Sequence, residues 1–299
     1  MEICVALGGG GARGNAHIGV LRILEREGFQ ISALAGSSYG GVVGSLYAAG
    51  YSPDEIESHF NVVDQTKLYA RSPEDRSSIL GLSGAQEALS EMLGDRDFQE
   101  LNIPFAVTAV DLNLGEEVLL KEGKVIDAVM ATIAIPGLLP PKKLGERLLI
   151  DGAVLDPVPV GVARSLAPGD PVIAVTLSPR SGDQVEVHDR QIFGSTPVIK
   201  AISRLRIAQA FGIFIRSVDI AGRLLSELRL EIEKPDVVIR PKVHHIGTFD
   251  RIDVSEVVLL GEAATREALS EIKIAVGWRG KLSRMLRRRG LNDIRVRER

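Results

Sequence analysis

One cysteine stands in 299 residues, so no disulfide framework is available and a reducing compartment is the natural setting. Cys4 falls inside the first apolar run, ahead of the turn that follows it, which is the position of a buried structural thiol rather than of a nucleophile. The opening "MEICVALGGGG" lacks a basic segment and its apolar run is too short for an export signal, so no export is expected. Long hydrophobic runs are missing as well. Residues 28–53 carry no charge, yet Gly36, Ser37, Ser38, Gly40, Gly41 and Gly44 interrupt them, which favours a buried strand, turn and helix over a membrane span. Histidine is scarce: of His17, His59, His188, His244 and His245, none lies in a strand-end motif that would seat a triad member. His17 falls in a helix, where packing or a hydrogen bond is its expected role, and His244 and His245 lack partners at metal-ligand spacing. Neither a metal nor a cofactor is called for.

What is present is enough apolar residue, 45% of the chain, for a substantial core. The first half alternates strands and helices in the pattern of a sheet covered on both faces. Strands are expected near 3–8, 31–36, 103–110, 171–177 and 236–240, and helices near 13–27, 39–50, 125–135 and 254–274. Residues 52–100 read as a helical insertion opened by "SPDE", with Ser52 as cap and Pro53 in the first helical position. Residues 180–194 are polar and turn-rich and read as a mobile loop. Residues 196–231 read as a long helix whose broad apolar surface suits core packing or a dimer contact before a membrane. The expected fold class is a three-layer α/β/α sandwich with a central, mostly parallel sheet, in one domain over residues 1–276 followed by a tail at 277–299.

The motifs carry more. "ICVALGGGGARGNAHIGVL" is a strand, four glycines and a helix, and Gly9, Gly11 and Gly14 satisfy G-x-G-x-x-G. Such a loop presents backbone N–H groups to a phosphate or to an oxyanion. A dinucleotide site also needs an acid near the end of the next strand, where Leu34 and Ala35 stand, and a P-loop needs Lys and Ser/Thr where Asn15 and Ala16 follow Gly14. The second strand ends instead in "GSSYG", a G-x-S-x-G elbow that would lift the Ser38 hydroxyl onto a helix N-terminus. Its base would be Asp151, at the end of the apolar run in "LLIDGAVLDPVPV" and turned by Gly152, where partial burial can raise a carboxyl's pKa. Asp156 competes for that role, although its place before Pro157 suits a turn former.

The glycine loop "GGGGARG", the elbow "GSSYG", the "DGA" motif and the segment "ATIAIPGLLPP" ahead of "LIDGAVLDPVPV" together resemble the patatin-like phospholipase family over most of residues 3–270. The resemblance implies a Ser38–Asp151 dyad without histidine, an oxyanion hole at Gly9, Gly10 and Gly11, and calcium-independent hydrolysis of lipid esters. Gly14, Gly36, Gly40 and Gly152 would support these motifs, and Arg13 would either orient a phosphate head group or buttress the loop. Tyr39 departs from the family's small residue after the serine, so it bears on the size of the acyl pocket.

The tail has the opposite character to the body. Residues 277–299 hold nine basic residues against Asp293 and Glu298, while the whole chain is net −3. Trp278, Leu282, Met285 and Leu286 fall on one helical face and Lys281, Arg284, Arg287 and Arg288 on the rest, an interfacial pattern suited to anionic lipid head groups. A solvated tail is the plain alternative, and a nucleic-acid arm lacks an accompanying recognition fold. The expectation is thus a cytoplasmic lipid acyl hydrolase of the phospholipase A or lysophospholipase type, peripheral at the inner face of the membrane. It would act on a lipid or ester substrate without nucleic acid, and a homo-oligomer is compatible with it. A catalytically quiet adaptor of the same family and a nucleotide-binding protein are the competing classes.

Overall fold

The first strand, β1 (Glu2–Leu7), alternates Ile3, Val5 and Leu7 on one face with Cys4 and Ala6 on the other, and everything after Glu2 is buried. That pattern is what a strand covered on both sides requires. In the computed structural model, which describes residues 1–71, 78–180, 206–278, 280–282 and 284, β1 is the centre of an eight-stranded sheet. The other strands are β2 (Gln30–Gly36), β3 (Phe105–Asp111), β4 (Glu116–Leu120), β5 (Lys142–Leu144), β6 (Arg147–Asp151), β7 (Val172–Val175) and β8 (Val237–Ile239). Five of them, in the order β3, β2, β1, β7, β8, are parallel, and β4, β5 and β6 join antiparallel at one side.

The two faces are packed differently. Ile3, Val5, Leu7, Leu34, Val107, Ile173 and Val175 meet α1 (Ala16–Arg26), α2 (Tyr39–Ala48), α5 (Val125–Thr132) and α8 (Val254–Val276). The opposite face is paved with Cys4, Ala6, Ala33, Ala35 and Ala174, small enough for α6 (Val160–Leu166) and Leu230 of α7 (Arg206–Glu233) to come close. The fold is therefore the three-layer α/β/α sandwich with a mostly parallel sheet. Outside the first helix layer lie α3 (Pro53–Val62) and α4 (Ser83–Leu93), from the stretch read as an insertion. Ser52 caps α3 reciprocally with Glu55, as the "SPDE" pattern indicates.

Register decides where a site can form. Leu7 pairs with Gly36 and Val175, Gly36 with Val107, and Val175 with Ile239, so the parallel strands finish in one row. β3 runs four residues past that row, with β4 along one of its edges from Val107 to Asp111. Ala109 pairs with Asp151 on the other edge, the edge that also carries β2. β2 and β6 thus approach head to head along one side of β3, with only Thr108 between their points of pairing. The β3–β4 hairpin and β5 are absent from the sequence reading, because "DLNLGEEVLL" and "KKL" show too little alternation over too few residues.

The long helix begins at Arg206; residues 196–205 of the expected helix, and 181–194 of the expected loop, lie outside the described residues. Among the described residues no helix is long and apolar enough to cross a membrane. The start of the basic tail is helical, with Trp278 71% and Leu282 49% exposed. Arg284 is a correction to its expected open basic face. Its guanidinium turns inward to the Ala275 carbonyl at 2.7 Å, the Gly169 carbonyl at 3.2 Å and Asp236 at 3.6 Å. A helix end with unpaired carbonyls beside a buried carboxylate draws a cation inward. Residues 285–299, including Met285, Leu286, Arg287 and Arg288, lie outside the described residues.

Candidate active site

At the end of β2 the chain reverses sharply into α2, and Ser38 takes φ 52° and ψ −127°, a strained conformation for a residue with a side chain. The turn is held from several directions. The Ser37 N–H donates to the Leu7 carbonyl at 3.0 Å, the Ser38 N–H to Thr132 Oγ1 at 2.9 Å, and the Gly40 N–H to the Ser37 carbonyl at 2.9 Å. A Cβ at Gly40 would lie 2.2 Å from the Leu7 carbonyl oxygen, and one at Gly36 would lie 2.6 Å from that of Gly40. The elbow closes only with glycine on both sides of the serine.

Ser38 Oγ donates to Asp151 Oδ2 at 2.6 Å, and Asp151 Oδ1 accepts the Ala153 N–H at 2.8 Å. Ser38 is 6% exposed and Asp151 4%. Burial pushes the Asp151 carboxyl up to about 7, against the Ser38 and Ala153 hydrogen bonds that pull it down. Gly152 lets the strand turn at this point, since a Cβ there would lie 2.2 Å from the Thr108 carbonyl oxygen. Thr132, which the sequence reading passes over as the end of an apolar helix, joins the two halves. Its Oγ1 accepts the Ser38 N–H and donates to the Thr108 carbonyl at 2.6 Å. Its signal was a hydroxyl among the apolar residues of "VMATIAIPG". Ser38 bonds Asp151 and not Asp156, which is buried and faces Arg229, Glu117 and Glu233.

The glycine loop passes beside this pair. A Cβ on Gly9 would meet the Ser38 and Ala153 Cβ atoms at 3.1 Å each. The Gly9 N–H donates to the Pro157 carbonyl at 3.0 Å, whereas those of Gly10 and Gly11 have no partner among the described residues. His17 Nε2 bonds the Gly8 carbonyl at 2.7 Å and Arg13 Nε donates to the Gly10 carbonyl at 3.0 Å. Because a trans peptide points its C=O and the next N–H in opposite directions, Arg13 aims the Gly11 N–H away from itself. Arg13 is buried and reaches Asp219 and Thr248 at 3.5 Å each, so its guanidinium is turned to protein partners. Burial lowers the His17 pKa to about 4, which leaves the ring neutral. Since a carbonyl only accepts, Nε2 carries the hydrogen. Gly14 lies beneath Tyr39, whose ring fills the space a Cβ would need and whose hydroxyl donates to Asn15 at 3.2 Å. His244 and His245 meet edge to face, and no cluster of metal-ligating side chains stands among the described residues.

A family model described as patatin-like phospholipase matches residues 5–164, from β1 through α6. The chain belongs to the patatin-like phospholipase family. An uncharacterized NTE family protein of Mycobacterium tuberculosis is 37% identical over 178 residues, covering 59% of this chain and 49% of that protein. A patatin-like phospholipase domain-containing protein of Caenorhabditis elegans is 28% identical over 300 residues, covering 90% of this chain and 21% of that protein. The chain thus spans about half the length, or less, of these relatives. Among solved structures, VipD from Legionella pneumophila superposes with a TM-score of 0.50 at 13% identity, covering 90% of this chain and 66% of that one, a likeness of fold. The match to the patatin-like family takes in the glycine loop, Ser38, Thr132 and Asp151, and it stops short of α7 and α8.

Proposed function

We propose that this protein is a lipid acyl hydrolase that cleaves carboxylic esters through a Ser38–Asp151 dyad and an acyl-enzyme. The observation that carries the reading is the 2.6 Å hydrogen bond from a strained, buried serine to a carboxyl whose pKa burial lifts to about 7. Family membership supports the choice of lipid esters. Ser38 Oγ attacks the ester carbonyl and its proton passes to Asp151 Oδ2. The carbonyl oxygen becomes an oxyanion facing the Gly10 and Gly11 N–H groups. Collapse expels the alcohol, which takes the proton from Asp151. Water then attacks the acyl-enzyme, gives its proton to Asp151, and releases the acid as the proton returns to Ser38. Gly9 enters as clearance for Ser38 rather than as a third donor, since its N–H is committed to Pro157. Arg13 and His17 position the loop and touch no reacting atom.

Attachment of the tail to a membrane belongs to the same proposal, with a geometric consequence. α8 starts at the pocket and, beside Glu27, ends at the far side of the molecule where the parallel strands begin, a helix length of about 35 Å away. A tail-bound protein would present that far side to the bilayer, and its substrate would reach Ser38 from solution. The test of the hydrolase reading is turnover of p-nitrophenyl esters and lysophospholipid by the wild type, Ser38→Ala and Asp151→Asn, with circular dichroism to verify folding. Each substitution is expected to lower kcat/KM by about 10³-fold or more. A folded wild type that hydrolyses none of these esters and resists fluorophosphonate labelling overturns it in favour of the adaptor.

A further inference from the structure

Beyond Ser38 the structure holds a cavity of about 130 Å³ that runs from the elbow between α2, α3 and α4. Polar side chains on its wall are turned to protein partners. His59 Nε2 bonds the Ala88 carbonyl at 3.3 Å, Tyr39 bonds Asn15, and the Gln65 amide both donates to the Ile252 carbonyl at 2.9 Å and accepts its N–H at 3.2 Å. With these groups satisfied, most of what faces the cavity is hydrocarbon, and Thr248, Asp250 and Arg251 add a polar stretch to its wall. Leu82, Leu89 and Leu139, all buried, belong to its apolar wall. Ala85 and Ala88 on α4 leave the room that a longer side chain would fill.

Size then selects the occupant. An apolar cavity of roughly 150 Å³ stays dry and holds a benzene molecule, six carbons. A space of about 130 Å³ beside Ser38 accommodates an unbranched chain of similar carbon count, and a much longer chain exceeds that volume. We propose that this cavity is an acyl subsite for medium-length chains, about four to eight carbons, with Ala85 and Ala88 of α4 setting the upper limit. The proposal rests on the hydrolase reading for its chemistry, but the subsite itself depends only on the cavity.

The experiment is a series of p-nitrophenyl esters from acetate to palmitate, below their aggregation concentrations, with wild type, Ala85→Leu and Ala88→Leu. It is paired with calorimetric binding of 1-hexanol and 1-dodecanol to the wild type. For the wild type, kcat/KM is expected to rise by up to about fourfold per methylene to a maximum near hexanoate and to fall beyond octanoate. At least one leucine variant should lower the hexanoate-to-acetate ratio by about tenfold or more. Two substitutions at partly buried helix positions guard against one failing to fold. Hexanol should bind more tightly than dodecanol. A maximum at laurate or beyond, or folded leucine variants with the wild-type chain-length profile, overturns the subsite while leaving the hydrolase intact. Absence of hydrolysis with preferential hexanol binding overturns the hydrolase and supports the subsite, and absence of both overturns the two together.

Discussion

The end of β6 and the turn after it carry two buried aspartates five residues apart, and burial lifts both carboxyls to about 7. Their company differs. Asp151 meets a hydroxyl and one N–H, with no cation bonded to it among the described residues, so it can take and return a proton without breaking an ion pair there. Asp156 faces Arg229, which also pairs with Glu117 of β4 and Glu233 of α7 at 3.1 Å each. That side of the turn ties a strand to a helix. A raised pKa alone therefore does not single out a base; contact with the serine does.

The sharpest way to break the comparison is to neutralise each carboxyl in turn. Asp151→Asn should lower kcat/KM by about 10³-fold or more, and Asp156→Asn by about tenfold or less. Equal losses would mean that the two sides act as one unit. The pH profile comes next. With Asp151 required as the anion, kcat/KM should rise tenfold per pH unit below about 7 and level above it. Asp156→Asn should keep that midpoint, and a displacement of a full unit would reveal coupling across the turn.

Stability gives a smaller effect of opposite sign to activity. The folded Asp151 carboxyl holds its proton more tightly than the unfolded one, so stability falls as pH rises from about 4 to 7. Asp151→Asn removes that penalty and should stabilise the protein by about 1–3 kcal/mol at pH 8, with the gain shrinking towards pH 4. Urea unfolding at the two pH values checks this. Asp156→Asn should gain less, because it also takes a partner from Arg229. The smallest effect belongs to the far end of the molecule. Removing residues 285–299, which keeps Arg284 on Asp236, should leave hydrolysis of a monomeric ester within about twofold. A large loss would tie the tail to the pocket.

Much of the fold was legible because it is written in local periodicity. After exposed Glu2 and Gln30 the runs at β1 and β2 are apolar but for Ser32, as strands buried on both faces require, and α1 and α2 follow glycine turns with apolar residues at helical spacing. Short elements escaped for the converse reason. Three-residue β5 has no period to detect, and β4 exposes most of its side chains. Of the candidate site, the serine turn was legible from its glycines and a hydrogen bond was expected of His17, whereas its partner and the roles of Thr132 and the Pro157 carbonyl were not legible. A lone hydroxyl in an apolar helix marks a position without naming its partner, a main-chain carbonyl before a valine leaves no pattern, and the meaning of both comes only from what they touch. The same holds for Gly9, a motif residue whose N–H turns out to be spent on the neighbouring loop.

By itself the chain order determined the two backbone devices of this protein. Glycines at 36 and 40 allow the strained serine turn, and Gly152 allows the turn at Asp151, because in each place a Cβ would collide with a carbonyl. Only the tertiary structure decided that these turns meet. Ser38 and Asp151 are 113 residues apart, and they come within 2.6 Å because β2 and β6 end against the same edge of β3 from opposite directions. That convergence is a matter of register among three strands, set by which hydrophobic faces must be buried together. No local spacing encodes it.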